Sequence, residues 1–518
     1  MNTSMPVPSS VLQLSPELQA AQLLMPSLHP AKFAANEEYR AACIDLAERG
    51  VGGFCVFQGT MDEAAQAIAE LQACADVPLL FSADYEHGLP MRLEGGTDFP
   101  HAMALGIGRE TSVTKSVAAA IAREAKAIGI HWNFAPVCDV NTNSLNPIIN
   151  TRAFGETLGE VLPHISAWIS GTQEHGVAAC AKHFPGHGDC AVDSHRELPV
   201  LEHSRERLSS VELVPFLSAI RSQVKTMMIG HLAVPAFDAS GLPASLSHVL
   251  ITDVLRSYMK FDGVVVTDAL DMHAISAVYS SSQACFMSIM AGADIALVPA
   301  DPMEALEHLK ACAADGSLPA ERIRESFLRV CELKSWCGLF ERKAYAQEVI
   351  SLEEHGMLAL KAATNAVRVK GNHDILPIET YNHLACFALV QDSDIDPGSE
   401  FFHYLSQVYE KDTDIAYLNA DVSDEALEDM KTSTETAEAV LFAVFASARA
   451  YAGTVELHPR LMHAARELSM YRPVIAVLFG NPYIAETFPA DVHVVCYSDS
   501  KASRGAACLA LSKKSLNL

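Results

Sequence analysis

Basic residues are scarce in this chain of 518 residues: Lys and Arg total 37 against 63 Asp and Glu, a formal net charge of −26. A field of that sign excludes nucleic acid and anionic membranes as partners held by overall charge. Charged residues make up only 19% of the chain and hydrophobic ones 50%, which excludes a largely disordered protein. Cysteine occurs thirteen times, an odd number with no CxxC pair, so a disulfide framework is not expected and free thiols in a reducing compartment are. No Lys or Arg precedes Lys32 and no apolar segment follows a basic start, so no secretory signal is read and a cytoplasmic protein is the expectation. Met272 to Ala293 lacks Asp, Glu, Lys and Arg, but its five Ser with Gln283 and His273 mark a buried loop and helix rather than a membrane span. From Lys361 onward there is neither GxGxxG nor GxxxxGK[ST], so no dinucleotide or nucleotide is expected there.

What is present is a rhythm. Short apolar runs at Ala21–Met25, Val51–Phe57, Val77–Ala83, Ile130–Val137, Val177–His183, Lys225–His231, Phe261–Thr267 and Asp294–Val298 are each brief enough for a strand buried on both faces. Helical spacing fills the gaps, as in Asp62–Ala73, Ser112–Ile128, Leu158–His175 and Ser204–Ser222. Eight such alternations predict an α/β fold of the (β/α)8 TIM-barrel type over residues 1–340, in preference to an open doubly wound sheet. Residues 341–360 read as a helical connector. Residues 361–518 hold six further strand candidates, Ala366–Val369, Leu384–Leu389, Asp414–Leu418, Val440–Phe445, Val474–Phe479 and Val492–Tyr497, and predict a smaller α/β sandwich domain. Length divided by about 150 suggests three domains, and the rhythm reduces this to two.

In a barrel the chemistry belongs at the C-terminal strand ends. Polar residues follow the runs there: Asp84, Glu86 and His87; Asp139, then Asn146, Asn150 and Arg152; Lys182 and His183; His231; Asp268. The densest stretch, Lys182 to His195, holds three His and two Asp in fourteen residues. A metal is not expected, because Pro185 and Gly186 prevent a helix from bringing His183 and His187 onto one face. His187 and Asp189 read as local loop hydrogen-bonders. Asp193 and His195, two apart, can place a carboxylate against an imidazole, as an acid/base His requires. Asp268 follows a run too apolar for a surface strand and sits at the barrel mouth, where Lys182 on a neighbouring wall could keep it ionised. The alternative for Asp268 is a helix N-cap, whereas Asp271 reads as that cap or a first-turn acid.

These residues fall into ordered blocks: Asp84-Tyr85-Glu86-His87-Gly88 with Met91-Arg92-Leu93; Asn133 to Val140 followed by Asn146 to Phe154; Lys182 to Asp189 with Asp193-Ser194-His195; and Val266-Thr267-Asp268-Ala269-Leu270. Together they resemble glycoside hydrolase family 3, and within it the two-domain β-N-acetylglucosaminidases. Gly480-Asn481-Pro482-Tyr483 resembles a shorter block of those members' second domain. His87 departs from the pattern, in which many relatives have Gly or Trp.

The resemblance implies that Asp268 is the nucleophile and His195 the general acid/base, assisted by Asp193. It implies that Asp84, Arg152, Lys182 and His183 bind the hydroxyls or acetamido group of N-acetylglucosamine. A His–Asp dyad then replaces the second carboxylate of most retaining glycosidases, and the reaction runs through a covalent glycosyl-enzyme. The implied partner is a small amino-sugar glycoside, either a peptidoglycan fragment or a chitooligosaccharide, with the former favoured. No cofactor or metal is implied. A phosphorylase and a non-catalytic sugar-binding barrel are the rival readings, and the oligomeric state is not legible.

Overall fold

The computed structural model describes residues 6–190, 192, 197–341, 351–391, 396–447 and 455–513. The chain divides into two compact units. The first comprises Met1–Thr97, Thr114–Thr142 and Glu156–Leu352. The second comprises Glu353–Leu518 together with two earlier stretches, Asp98–Val113 and Asn143–Gly155.

Each of the eight apolar runs holds a strand of the first unit. These are Leu24–Met25, continued past Pro26 as Ser27–Leu28, then Gly53–Val56, Leu80–Ala83, Trp132–Asn133, Ala178–Phe184, Thr226–Ile229, Val264–Thr267 and Ala296–Leu297. Neighbours pair in parallel from Ser27–Leu28 round to Val264–Thr267. The ring closes where Val266 bridges Ile295 and where Leu24–Met25 lies beside Ala296–Leu297. Parallel strands covered on both faces need unbroken apolar sequence, and Leu80–Ala83 and Val264–Thr267 are buried at every position. The strands are shorter than the runs because closure uses only the paired core. In Ile130–Val137, for instance, regular pairing stops at Asn133, ahead of Pro136, which has no N–H to donate.

Helix ends follow local chemistry. Thr60 with Glu63, and Ser280 with Gln283, form capping boxes that open Met61–Cys74 and Ser281–Ala291. Asp301 caps Pro302–Asp315, and Gly316 ends it in the left-handed conformation. The stretch Ser204–Ser222 is two helices, Arg205–Ser210 and Val214–Arg221. Val211 leaves helical geometry and Pro215 starts the second helix, where a missing N–H costs nothing. The uncharged stretch from Met272 is a short helix, His273–Ser276, followed by Ser281–Ala291. Among the described residues no helix is long and apolar enough to cross a membrane.

The second unit is a six-stranded sheet ordered Arg368–Gly371, Val492–Val495, Val474–Gly480, Ala439–Ala446, His383–Val390, Asp412–Leu418. All pairings are parallel except that of Arg368–Gly371 with Val492–Val495. Alternation along the strands feeds two cores. Ala385, Phe387, Leu389 and Phe442 enter one with Leu461 and Leu468, whereas Leu384, Cys386, Ala388 and Leu441 enter the other with Phe401 and Leu405. Helices therefore cover both faces, the arrangement of a doubly wound α/β sandwich.

At the closing seam of the barrel, Asp294 is fully buried. Its carboxylate accepts from Arg256, Val265 N, Arg322, Ser326 and Arg329 at 2.5 to 3.2 Å. Burial would favour the protonated acid, but the three guanidinium groups hold its pKa below the usual carboxylate range. Removing one partner of such a group strands the others. Asp294→Ala is therefore expected to cost about 3–5 kcal/mol, read as a lower denaturant midpoint; a midpoint equal to that of the parent protein would show that the seam holds without it.

Candidate active site

Five strands of the first unit deliver the polar residues to one rim. Leu80–Ala83 runs into Asp84, Tyr85 and Glu86, and Ala178–Phe184 carries Lys182 and His183 at its end. The Lys182 side chain is 1% exposed, and its Nζ donates to Asp84 Oδ1 and Glu86 Oε1, both at 2.7 Å. Asp84 Oδ2 accepts from Arg92 Nη2 at 2.6 Å. Among the described residues two cations thus face two anions. Burial alone would raise the pKa of Asp84, but Lys182 and then Arg92 outweigh it and keep the group ionised well below its ordinary range. Asn133 braces the turn, donating to Tyr85 O at 3.1 Å and accepting from Tyr85 N at 3.0 Å.

His183 is held from a neighbouring strand end. Its Nδ1 lies 2.7 Å from Asp139 Oδ2, and Asp139 Oδ1 accepts from His187 N at 2.7 Å. Asp139 is fully buried, yet its pKa lies below the usual value because His183 and the hydrogen bonds outweigh burial. The His187 ring packs edge-on to that of His183 with centroids 6.0 Å apart. Burial and the adjacent His183 push the pKa of His187 down to about 4, and the Asp268 carboxylate acts in the opposite sense.

Asp268 follows Val264–Thr267 and is partly exposed. Its N–H donates to Ile229 O at 2.9 Å, and its Oδ1 accepts from Ala269 N at 2.9 Å. It caps no helix, since the next one is His273–Ser276. Asp271 is not the cap either. Met272 occupies that position without a side-chain bond, and the Asp271 backbone instead joins Val298 O and Ser276 Oγ. His231, wholly buried, fixes the residue after Asp268: its Nε2 lies 2.8 Å from Ala269 O and its Nδ1 2.8 Å from Ser245 Oγ.

Asp84, Lys182, His183 and Asp268 thus lie at strand ends of one unit, while Arg152 belongs to the other. Arg152 ends the turn Asn150–Arg152 and donates to Ile148 O at 3.0 Å. Within the second unit, Asn150 Nδ2 reaches Asn481 Oδ1 at 3.4 Å, and Thr151 Oγ1 lies 3.1 Å from His101 Nδ1. Asp193 and His195 lie outside the described residues. Asp189, just before them, pairs with His203 at 2.5 Å, and His187 bonds through its N–H, both local contacts of the loop. The bracing roles of Glu86, Asp139 and His231 were not assigned from sequence. Their one signal was position, since each follows a strand at the same end of the barrel. Among the described residues no three His, Cys, Asp or Glu side chains are grouped to hold a metal ion.

The charge cluster makes an acid-stability prediction. The folded pKa of Asp84 is below the ordinary 3.8, so its stabilising effect is complete above that value and is lost as pH falls through the depressed one. Lys182→Met removes the strongest of the cations holding it down. Acid unfolding, followed by circular dichroism, should begin at higher pH in the variant; an unmoved midpoint would assign the whole effect to Arg92.

Residues 17–333 match the glycosyl hydrolase family 3 N-terminal domain. The chain is 34% identical over 342 residues to a β-N-acetylglucosaminidase/β-glucosidase of Cellulomonas fimi, covering 63% of this chain and 61% of that protein. It is 32% identical over 386 residues to β-hexosaminidase A of Pseudoalteromonas piscicida, covering 66% and 64%. It therefore spans less than two thirds of the length of these two relatives. Among solved structures, a glycoside hydrolase family 3 β-N-acetylglucosaminidase from Paenibacillus sp. str. FPU-7 superposes with a TM-score of 0.84 at 29% identity, covering 96% of this chain and 97% of that one. With the eight-stranded barrel, its polar rim and a family match over more than half of the sequence, this chain belongs to glycosyl hydrolase family 3.

Proposed function

We propose that this protein is a retaining exo-β-N-acetylglucosaminidase that removes terminal N-acetylglucosamine through a covalent glycosyl-enzyme. The observation that carries the reading is Asp268, a partly exposed carboxylate at the end of a wholly buried strand, on the rim that also holds Lys182–Asp84 and His183–Asp139. Asp268 attacks the anomeric carbon as the glycosidic bond breaks. His195, with Asp193 as its partner, protonates the leaving oxygen and then activates the water that releases the sugar with retained configuration. Asp84, Lys182 and His183 bind the sugar. The near-neutral Asp84–Glu86–Lys182–Arg92 cluster suits hydroxyl groups, which both donate and accept, better than it suits a charged group.

The natural substrate in this reading is a peptidoglycan fragment, with chitooligosaccharides second, and the setting is cytoplasmic. All thirteen cysteines are free and twelve are buried, which supports a reducing compartment. The full-length likeness to a β-N-acetylglucosaminidase supports the amino-sugar specificity.

Asp268→Ala is expected to abolish turnover of an aryl β-N-acetylglucosaminide, and undiminished turnover would remove Asp268 from the mechanism. His195→Ala should slow natural glycosides far more than aryl glycosides with good leaving groups, since only the former need protonation; equal losses would count against its acid role. Mass spectrometry of products from both substrate classes, with and without millimolar phosphate, separates hydrolysis from phosphorolysis. Free N-acetylglucosamine supports the reading, and sugar 1-phosphate as the main product would replace it.

A further inference from the structure

One closely held polar group at the rim is given no role by the resemblance. Asp139 has 1% of its surface exposed and accepts three N–H donors: His183 Nδ1 at 2.7 Å, His183 N at 3.2 Å and His187 N at 2.7 Å. A carboxylate is an acceptor only, so the shared proton resides on His183 Nδ1. The backbone also leaves Asp139 little freedom. Val137 bridges Lys182, and Cys138 N donates to Lys182 O. A Cβ on Gly188 would lie 1.8 Å from Val140 O, so the chain after His187 packs directly against the chain after Asp139. Among the described residues, Asp139 and His187 are titratable groups that face His183.

We propose that Asp139 is a positioning residue for sugar recognition: it fixes His183 as the Nδ1–H tautomer, so that Nε2 accepts a hydrogen bond from a sugar hydroxyl. The proposal rests on His183 binding the sugar. It makes His183 a reader of hydroxyl groups as donors, beside Lys182, whose ammonium can only donate. A substrate whose hydroxyl at that position is methylated or removed loses the bond. The same carboxylate sets the start of the loop that leads to Asp193 and His195.

The test is the tautomer itself, read by long-range 1H–15N correlation of histidine ring nitrogens in the full-length protein. The His183 signals are assigned by their absence in His183→Gln. The expected spectrum has a protonated Nδ1 and a bare Nε2 whose signal moves when N-acetylglucosamine is added. A protonated Nε2 in the free wild-type protein, or a His183 signal that ignores the sugar, overturns the proposal. Asp139→Asn keeps the shape but turns one oxygen into a donor. It should mix the tautomers and raise KM for an aryl β-N-acetylglucosaminide about tenfold, with kcat changed much less. If the tautomer shifts as expected but neither Asp139→Asn nor His183→Gln alters KM, the reading of His183 as a sugar-binding residue fails while the carboxylate's hold on the ring stands. If Asp139→Asn does not fold, the wild-type spectrum with and without sugar still decides.

Discussion

The rim is organised by the cost of burying an ammonium group. Lys182 is almost inaccessible to solvent, and a lone cation there would shed its proton or its position. Asp84 and Glu86 keep it charged, and they can do so only because Leu80–Ala83 ends beside Ala178–Phe184 in the barrel, with Trp132–Asn133 between them. The intervening strand contributes Asn133, which pins the backbone of Tyr85 between the two acids. The register of three strands is thus written into one ion cluster. A buried cluster of this kind is weak evidence for stability, because desolvation offsets much of the Coulomb attraction, and strong evidence for a fixed geometry. Its Arg92 member also lies 5.3 Å above the Phe57 ring and extends the arrangement toward the second strand.

A division of labour follows from charge. The chain carries a large negative excess, yet among the described residues around Lys182 two cations meet two anions. Sugars are neutral, and a balanced set of donors and acceptors binds hydroxyls without drawing in anions or repelling them. Asp268 is a partly exposed acid on the same rim, and its carboxylate favours the charged form of His187, which burial and His183 outweigh.

Much of this was legible before any coordinates. All eight apolar runs and all six later ones hold strands; burial on both faces makes the inner ones readable as continuous apolar sequence, whereas Arg368–Gly371 and Asp412–Leu418 are partly exposed edge strands. The strand-end positions expected for Asp84, Lys182, His183 and Asp268 are the ones they occupy. What could not be read was pairing across strands. Asp139 lies 44 residues from His183 in sequence, and nothing local distinguishes its carboxylate from a turn residue. Asp271 looked like a helix cap because its type and position fit one, but its backbone was committed to Val298 instead. The break in Ser204–Ser222 had a signal in Pro215, yet a proline suits the first turn of a second helix as well as the end of a first.

The partition of the chain carries the same lesson for Arg152. By sequence order it belongs to the loop after the fourth strand, but the contacts of Asn143–Gly155 lie with the second unit. There the buried Asn481 does two things: its amide donates to Val455 O at 2.8 Å, and its oxygen receives Asn150. Asn481 follows Gly480, whose φ of +81° and approach to Ala446 O leave no room for a side chain. A glycine that lets the chain turn at a strand end, followed by an asparagine that both caps the next turn and holds Asn150, explains why a four-residue block carries information despite its brevity. The second unit contains the turn that ends in Arg152, and Asn481, just after one of its strands, holds that turn through Asn150.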